Sequence, residues 1–143
     1  MKKKLNCVLL VDDNESDNFL HKRVIENAGI TDFIGVALNG QEAIDFLTTK
    51  LEMGLGDHSF PRPALIFLDI NMPIMDGWEF LEEYQKLDEI QKGEVVIIML
   101  SASLNSADMT RTEETLGSGS FLFKPLTSQM VGEIMQKHFA EYL

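Results

Sequence analysis

Along these 143 residues a short apolar run followed by a stretch of helical periodicity recurs about five times. That rhythm leaves few foldings open: successive strands separated by helices run parallel, and the helices must cover both faces of the resulting sheet. The first run, Cys7-Val8-Leu9-Leu10-Val11, is nearly continuous rather than alternating, as a central parallel strand buried on both faces requires. The predicted fold class is therefore α/β, a five-stranded parallel sheet between two layers of helices.

From Ser16 to Ala28 the residues Leu20, Val24 and Ala28, joined by Phe19 and Ile25, recur at helical spacing, and Gly29 supplies a stop. Phe33 to Ala37 reads as a second strand, and after the Asn39-Gly40 turn a second helix from Gln41 carries Ala43, Ile44, Phe46, Leu47 and Leu51. Residues 52–63, with two glycines and two prolines, form the longest irregular connection. Ala64 to Leu68 is a third strand ending at Asp69, and Trp78, Leu81 and Tyr84, with Phe80, line a third helix. Val95 to Leu100 is the fourth strand. The fourth helix, roughly Ser106 to Leu116, has a weak apolar face of Ala107, Met109 and Leu116 and is expected to be marginal. Phe121-Leu122-Phe123 is a short fifth strand, and Met130, Val131, Ile134, Met135, His138 and Phe139 define the last helix.

A chain of this length encloses one core and not two, so 1–143 is expected to form a single domain. The net charge of −11 argues against a nucleic-acid surface, since affinity for the phosphate backbone comes largely from Lys and Arg. Met1-Lys2-Lys3-Lys4 and the apolar residues after it superficially resemble a signal peptide, but Asn6 interrupts the run and Asp12-Asp13 ends it, so a cytoplasmic strand is expected there. No stretch approaches the ~20 apolar residues of a membrane helix. The lone Cys7 excludes an intramolecular disulfide and reads as core.

In open α/β sheets ligands bind beyond the carboxyl ends of the strands. Four of the five runs end there in polar chemistry: Asp12-Asp13, Asp69, Ser101 and Lys124. Each alone has a bland explanation as a helix cap, a turn residue or a solvated lysine. Together they differ, because three carboxylates meeting at one sheet edge repel and raise one another's pKa unless a cation lies among them. Mg2+ suits such a site, taking oxygen ligands from one or two carboxylates and from phosphate. His21, His58 and His138 lie in unrelated segments without ligand spacing, which argues against zinc. Trp78 and the eight methionines read as packing residues.

Taken in order, Asp12-Asp13, Asn39-Gly40 with Glu42-Ala43, Asp69-Ile70-Asn71-Met72-Pro73 with Asp76-Gly77, Ser101-Ala102 and Lys124-Pro125 closely resemble response-regulator receivers of two-component signalling, from about Leu5 to the final helix. The resemblance implies a flavodoxin-like fold with strand order 2-1-3-4-5, an arrangement for which such a receiver is a standard example. It implies that Asp69 is the phosphoacceptor, that Asp13 binds Mg2+ directly, that Asp12 holds a metal-bound water, and that Asn71 adds a backbone carbonyl. Lys124, the Ser101 hydroxyl and the N–H of Ala102 would bind the phosphoryl oxygens. Lys124-Pro125 would form a cis peptide, and Phe121 stands at the switch-aromatic position, with plain strand core as its alternative.

Two departures from the common pattern bear on the switch: Ser101 stands where many members have threonine, and Phe121 replaces the frequent tyrosine. Asn71 and Ser103 occupy positions that tune dephosphorylation in the family. The implied partners are a sensor histidine kinase or phosphotransfer protein and a downstream protein target; a homodimer is compatible with this. Only one helix follows Lys124-Pro125, so no output domain is expected, and the connection before Pro63 resembles that of single-domain receivers paired with phytochrome-type kinases. Two other readings are weaker. A haloacid-dehalogenase-like phosphatase needs an acid two residues after its nucleophile, where this chain has Asn71; a receiver-like interaction module that is never phosphorylated leaves Asp13, Asp69 and Lys124 without a purpose.

Overall fold

Hydrophobic burial on two faces of one sheet organises the molecule, seen here in a computed structural model that describes residues 4–52, 62–87, 95–103 and 105–142, with the side chains of 49–52 left aside. The strands are β1 (Val8–Val11), β2 (Ile34–Ala37), β3 (Leu65–Leu68), β4 (Val96–Ser101) and β5 (Phe121–Phe123). They pair in the order β2-β1-β3-β4-β5, all parallel, which is the order the resemblance implied. The helices are α1 (Glu15–Ala28), α2 (Gly40–Glu52), α3 (Gly77–Gln85), α4 (Ser106–Leu116) and α5 (Ser128–His138), with a closing 3-10 turn at Ala140–Tyr142. Most of the irregular connection expected at 52–63 lies outside the described residues, as does the side chain of Leu51.

Alternate strand residues feed two apolar layers. Val8, Leu10, Leu65, Phe67, Ile98 and Leu100 pack with Ile25 of α1 and Val131, Ile134 and Met135 of α5. Leu9, Val11, Ile66, Leu68, Ile97 and Met99 pack with Ala43 and Leu47 of α2 and Phe80 and Leu81 of α3. Each fully buried aliphatic side chain contributes about 1.5–3 kcal/mol relative to an exposed one, so this double layer is the dominant favourable term. Cys7, just before β1, is buried with no exposed surface.

Two helix faces differ from the periodicity. In α1 the buried residues are Asn18, His21 and Ile25, whereas Phe19 and Leu20 are 62% and 54% exposed. The helix is rolled so that the Asn18 amide donates to the main-chain carbonyl of Asp12 at 2.8 Å, which makes burying a polar side chain tolerable. In α4 the buried residue is Thr112, whose hydroxyl donates to the Asp108 carbonyl, while Ala107 is exposed and Met109 and Leu116 are half-buried. Its face is as thin as expected. The guanidinium of Arg111 lies 4.1 Å above the Trp78 ring, tying α4 to α3 from outside the core. Trp78 is therefore only half-buried, unlike its neighbours Phe80, Leu81 and Tyr84.

Candidate functional site

The level ends of the strands create the site. Val11 is in register with Leu68, so Asp12 and Asp69, one residue further on, leave the sheet side by side. Two backbone hydrogen bonds hold them there, Asp12 N–H to Ala37 and Asp69 N–H to Val11. Ser101 pairs with Phe123, and the N–H of Lys124 then donates to the Ser101 carbonyl, which delivers the lysine to the same edge. The Lys124-Pro125 peptide is cis.

Local caps complete the frame. The Asn14 side chain accepts from the N–H of Asp17 and starts α1, while the N–H of Asn14 donates to Asp12 Oδ1 at 2.9 Å. Asp76 and Glu79 form a reciprocal capping box at the start of α3. There Gly77 N–H donates to the Ile70 carbonyl, and a Cβ at Gly77 would lie 2.5 Å from the Asp69 carbonyl oxygen. Only glycine permits that approach, so the Asp76-Gly77 pair acts directly on the placement of Asp69.

These elements enclose an open cavity of about 330 Å3 lined by Asp12, Asp13, Asn14, Asp17, Asp69, Asn71, Ser101, Ala102, Ser103 and Lys124. Every residue singled out for metal or phosphoryl binding is on its wall. Asp12, Asp13 and Asp69 each offer an oxygen, and these lie within 4.8 Å of one another. A set of carboxylate oxygens at that spacing fits a hard divalent cation with room for water and for phosphate oxygens. The Lys124 ammonium is 2.6 Å from Asp12 Oδ2, 2.9 Å from Asp17 Oδ2 and 3.6 Å from Asp69 Oδ1.

The electrostatics follow from this crowding. Burial, and next the charge of Asp12, push the Asp69 carboxyl up to about 6 from its usual 3.8, with Lys124 pulling the other way. Burial disfavours the charged form of Lys124, but hydrogen bonds to Asp12 and Asp17 and the charge of Asp69 outweigh it and hold the ammonium above its ordinary range. His21, buried behind the carboxylates on α1, is pushed below its usual value chiefly by that burial, in keeping with a packing role.

Ser101 is 3% exposed and its hydroxyl accepts from the Ser103 N–H at 3.1 Å. Phe121 is half-buried against the α2–α3 layer and meets Phe123 edge to face at 5.5 Å between centroids. Asp17, like Asn14 on the same wall, is a site residue that sequence reasoning missed. Its signal was present, an acid four residues after Asp13 in the first helical turn, but it reads equally as a favourable charge at a helix start.

A family profile described as the response regulator receiver domain matches residues 8–136. Over 120 residues the chain is 31% identical to the probable methanogenesis regulatory protein FilR2 of Methanothrix harundinacea, covering 84% of this chain and 72% of that one. It is 28% identical to a protein-glutamate methylesterase/protein-glutamine glutaminase of Methanospirillum hungatei over 89% of this chain, but spans only 33% of that relative's length. Among solved structures, a two-component response regulator from Cytophaga hutchinsonii superposes with a TM-score of 0.80 at 28% identity over 94% of this chain and 97% of that one. The bacteriophytochrome response regulator AtBRR gives 0.72 at 30% identity over 94% and 92%. The Mn2+-bound form of response regulator Rcp1 gives 0.66 at 28% identity over 92% of each chain. Among the described residues, no helix is long and apolar enough to cross a membrane.

Proposed function

Because the chain belongs to the response regulator receiver domain family, we propose that it is a phosphorylatable switch that accepts a phosphoryl group on Asp69 from a histidine kinase or phosphotransfer protein. The observation that carries this reading is the convergence of Asp12, Asp13 and Asp69 within 4.8 Å, with the Lys124 ammonium 3.6 Å from Asp69. A phosphoryl acceptor needs that combination, a carboxylate nucleophile flanked by cationic charge to offset the anionic group it attacks.

Asp12, Asp13 and Asp69, with the carbonyl of Asn71, would hold Mg2+, which when bound supplies positive charge to the phosphoryl oxygens and relieves the repulsion among the acids. An Asp69 carboxylate oxygen forms the new bond to phosphorus while the donor's phosphorus–nitrogen bond breaks, and the electron pair leaves on the imidazole nitrogen. Lys124 donates to one phosphoryl oxygen; the Ser101 hydroxyl and the Ala102 N–H, both at the cavity wall, donate to the others. The Ser101 hydroxyl accepts from the Ser103 N–H and keeps its own O–H free for a phosphoryl oxygen, so drawing Ser101 toward the phosphoryl group would carry the β4–α4 segment with it and give that segment a second arrangement. Phe121 borders that segment and would carry the change to the face made by α4, β5 and α5, where a downstream protein binds.

In this reading the protein is a signalling phosphoacceptor rather than an enzyme acting on other molecules, and works in the cytoplasm. The match to methylesterases is confined to about a third of those proteins and lends no support to esterase chemistry here. The test is to incubate the protein with Mg2+ and acetyl phosphate and follow intact mass. One added phosphoryl group in the wild type and none in Asp69→Asn is expected; labelling that survives in the variant overturns the assignment of the nucleophile.

A further inference from the structure

We propose that Asp17 is a positioning residue whose carboxylate holds the Lys124 ammonium on the α1 side of the cavity and competes with the phosphoryl group for it. The inference rests on the phosphoacceptor reading and adds a determinant of how firmly the phosphorylated state is held.

The geometry points to competition. Lys124 Nζ lies 2.9 Å from Asp17 Oδ2 and 3.6 Å from Asp69 Oδ1, so the ammonium stands closer to Asp17 than to the group it must serve. Asp17 is anchored: its N–H donates to the Asn14 side chain at 3.0 Å, fixing it in the first turn of α1. The other close partner of the lysine, Asp12, belongs to the acidic trio that would hold a cation. Once Asp12 is engaged there, Asp17 is the carboxylate left to draw the ammonium away. An ammonium has three N–H donors, and every one directed at Asp17 is withdrawn from the phosphoryl oxygens. Asp17 is itself outside the acidic trio, so its effect is exerted through Lys124.

Beryllofluoride binding in the presence of Mg2+, measured by calorimetry on the intact chain, tests this. Removing the charge in Asp17→Asn is expected to tighten beryllofluoride binding about fivefold, the scale of a partly exposed ion pair. Asp17→Glu, which keeps the charge, returns the affinity toward wild type. Binding of Mg2+ alone changes by less than about twofold, because one carboxylate outside the ligand set acts only through a screened charge. In a Lys124→Gln background the Asp17→Asn effect disappears. Unchanged or weaker binding by Asp17→Asn overturns the proposal, and so does tightening that persists without Lys124, which would mean simple charge repulsion. A wild type that binds no beryllofluoride and takes no label from acetyl phosphate sinks the phosphoacceptor reading as well; normal wild-type binding with an indifferent Asp17→Asn sinks this inference alone.

Discussion

Replacing Asp69 by asparagine should make the metal-free protein more stable at neutral pH, and the structure sets the scale. The Asp69 side chain is 13% exposed, and burial together with Asp12 raises its carboxyl from 3.8 to about 6. A carboxyl that protonates more readily when folded destabilises the fold whenever it is ionised. The penalty is absent below pH 3.8, grows between there and about 6, and is complete above that value. The difference corresponds to about 3 kcal/mol at pH 7.5 and about 1 kcal/mol at pH 4.5. Asparagine is nearly isosteric and removes the charge, while Lys124 keeps Asp12 and Asp17 as partners. Urea unfolding of wild type and Asp69→Asn in EDTA, at both pH values, should show the variant more stable by roughly those amounts. Mg2+ should narrow the gap at pH 7.5, since a cation held by the trio stabilises the wild type preferentially. A variant no more stable than wild type at pH 7.5, or a gain that does not shrink on acidification, would refute the account of a crowded acidic site.

Other outcomes follow from the same geometry. Lys124→Gln should move the Asp69 carboxyl above 6, because the ammonium is the main charge opposing its rise, and a carbon-detected NMR titration of the carboxyl reads this directly. Gly77→Ala should destabilise the protein by about 3 kcal/mol or more and suppress acetyl phosphate labelling, because its Cβ would meet the Asp69 carbonyl at 2.5 Å; labelling at the wild-type rate would show that this contact is not restrictive. Arg111→Ala should cost only about 0.5–1 kcal/mol yet shift the emission of Trp78, the single tryptophan, since the guanidinium lies 4.1 Å above its ring.

The alternation of apolar runs with helical periods was enough to read a parallel α/β sheet, because a strand buried on both faces must be continuously apolar and its connections must be helices. The same reading located the chemistry, since Asp12, Asp13, Asp69, Ser101 and Lys124 stand just beyond apolar runs and all reach one cavity. What tertiary structure decided was the pairing. The match of Val11 with Leu68 turns two distant aspartates into neighbours, and no local pattern specifies that register. Helix faces were legible only where apolar contact orients them. α1 instead buries Asn18 and His21 and exposes Phe19 and Leu20, because the Asp12 carbonyl supplies Asn18 with a hydrogen-bond partner from outside the helix. Asp17 was illegible for the same reason. Periodicity records which residues avoid water, but a charge acquires its role from the group it meets, and here that group is a lysine 107 positions along the chain.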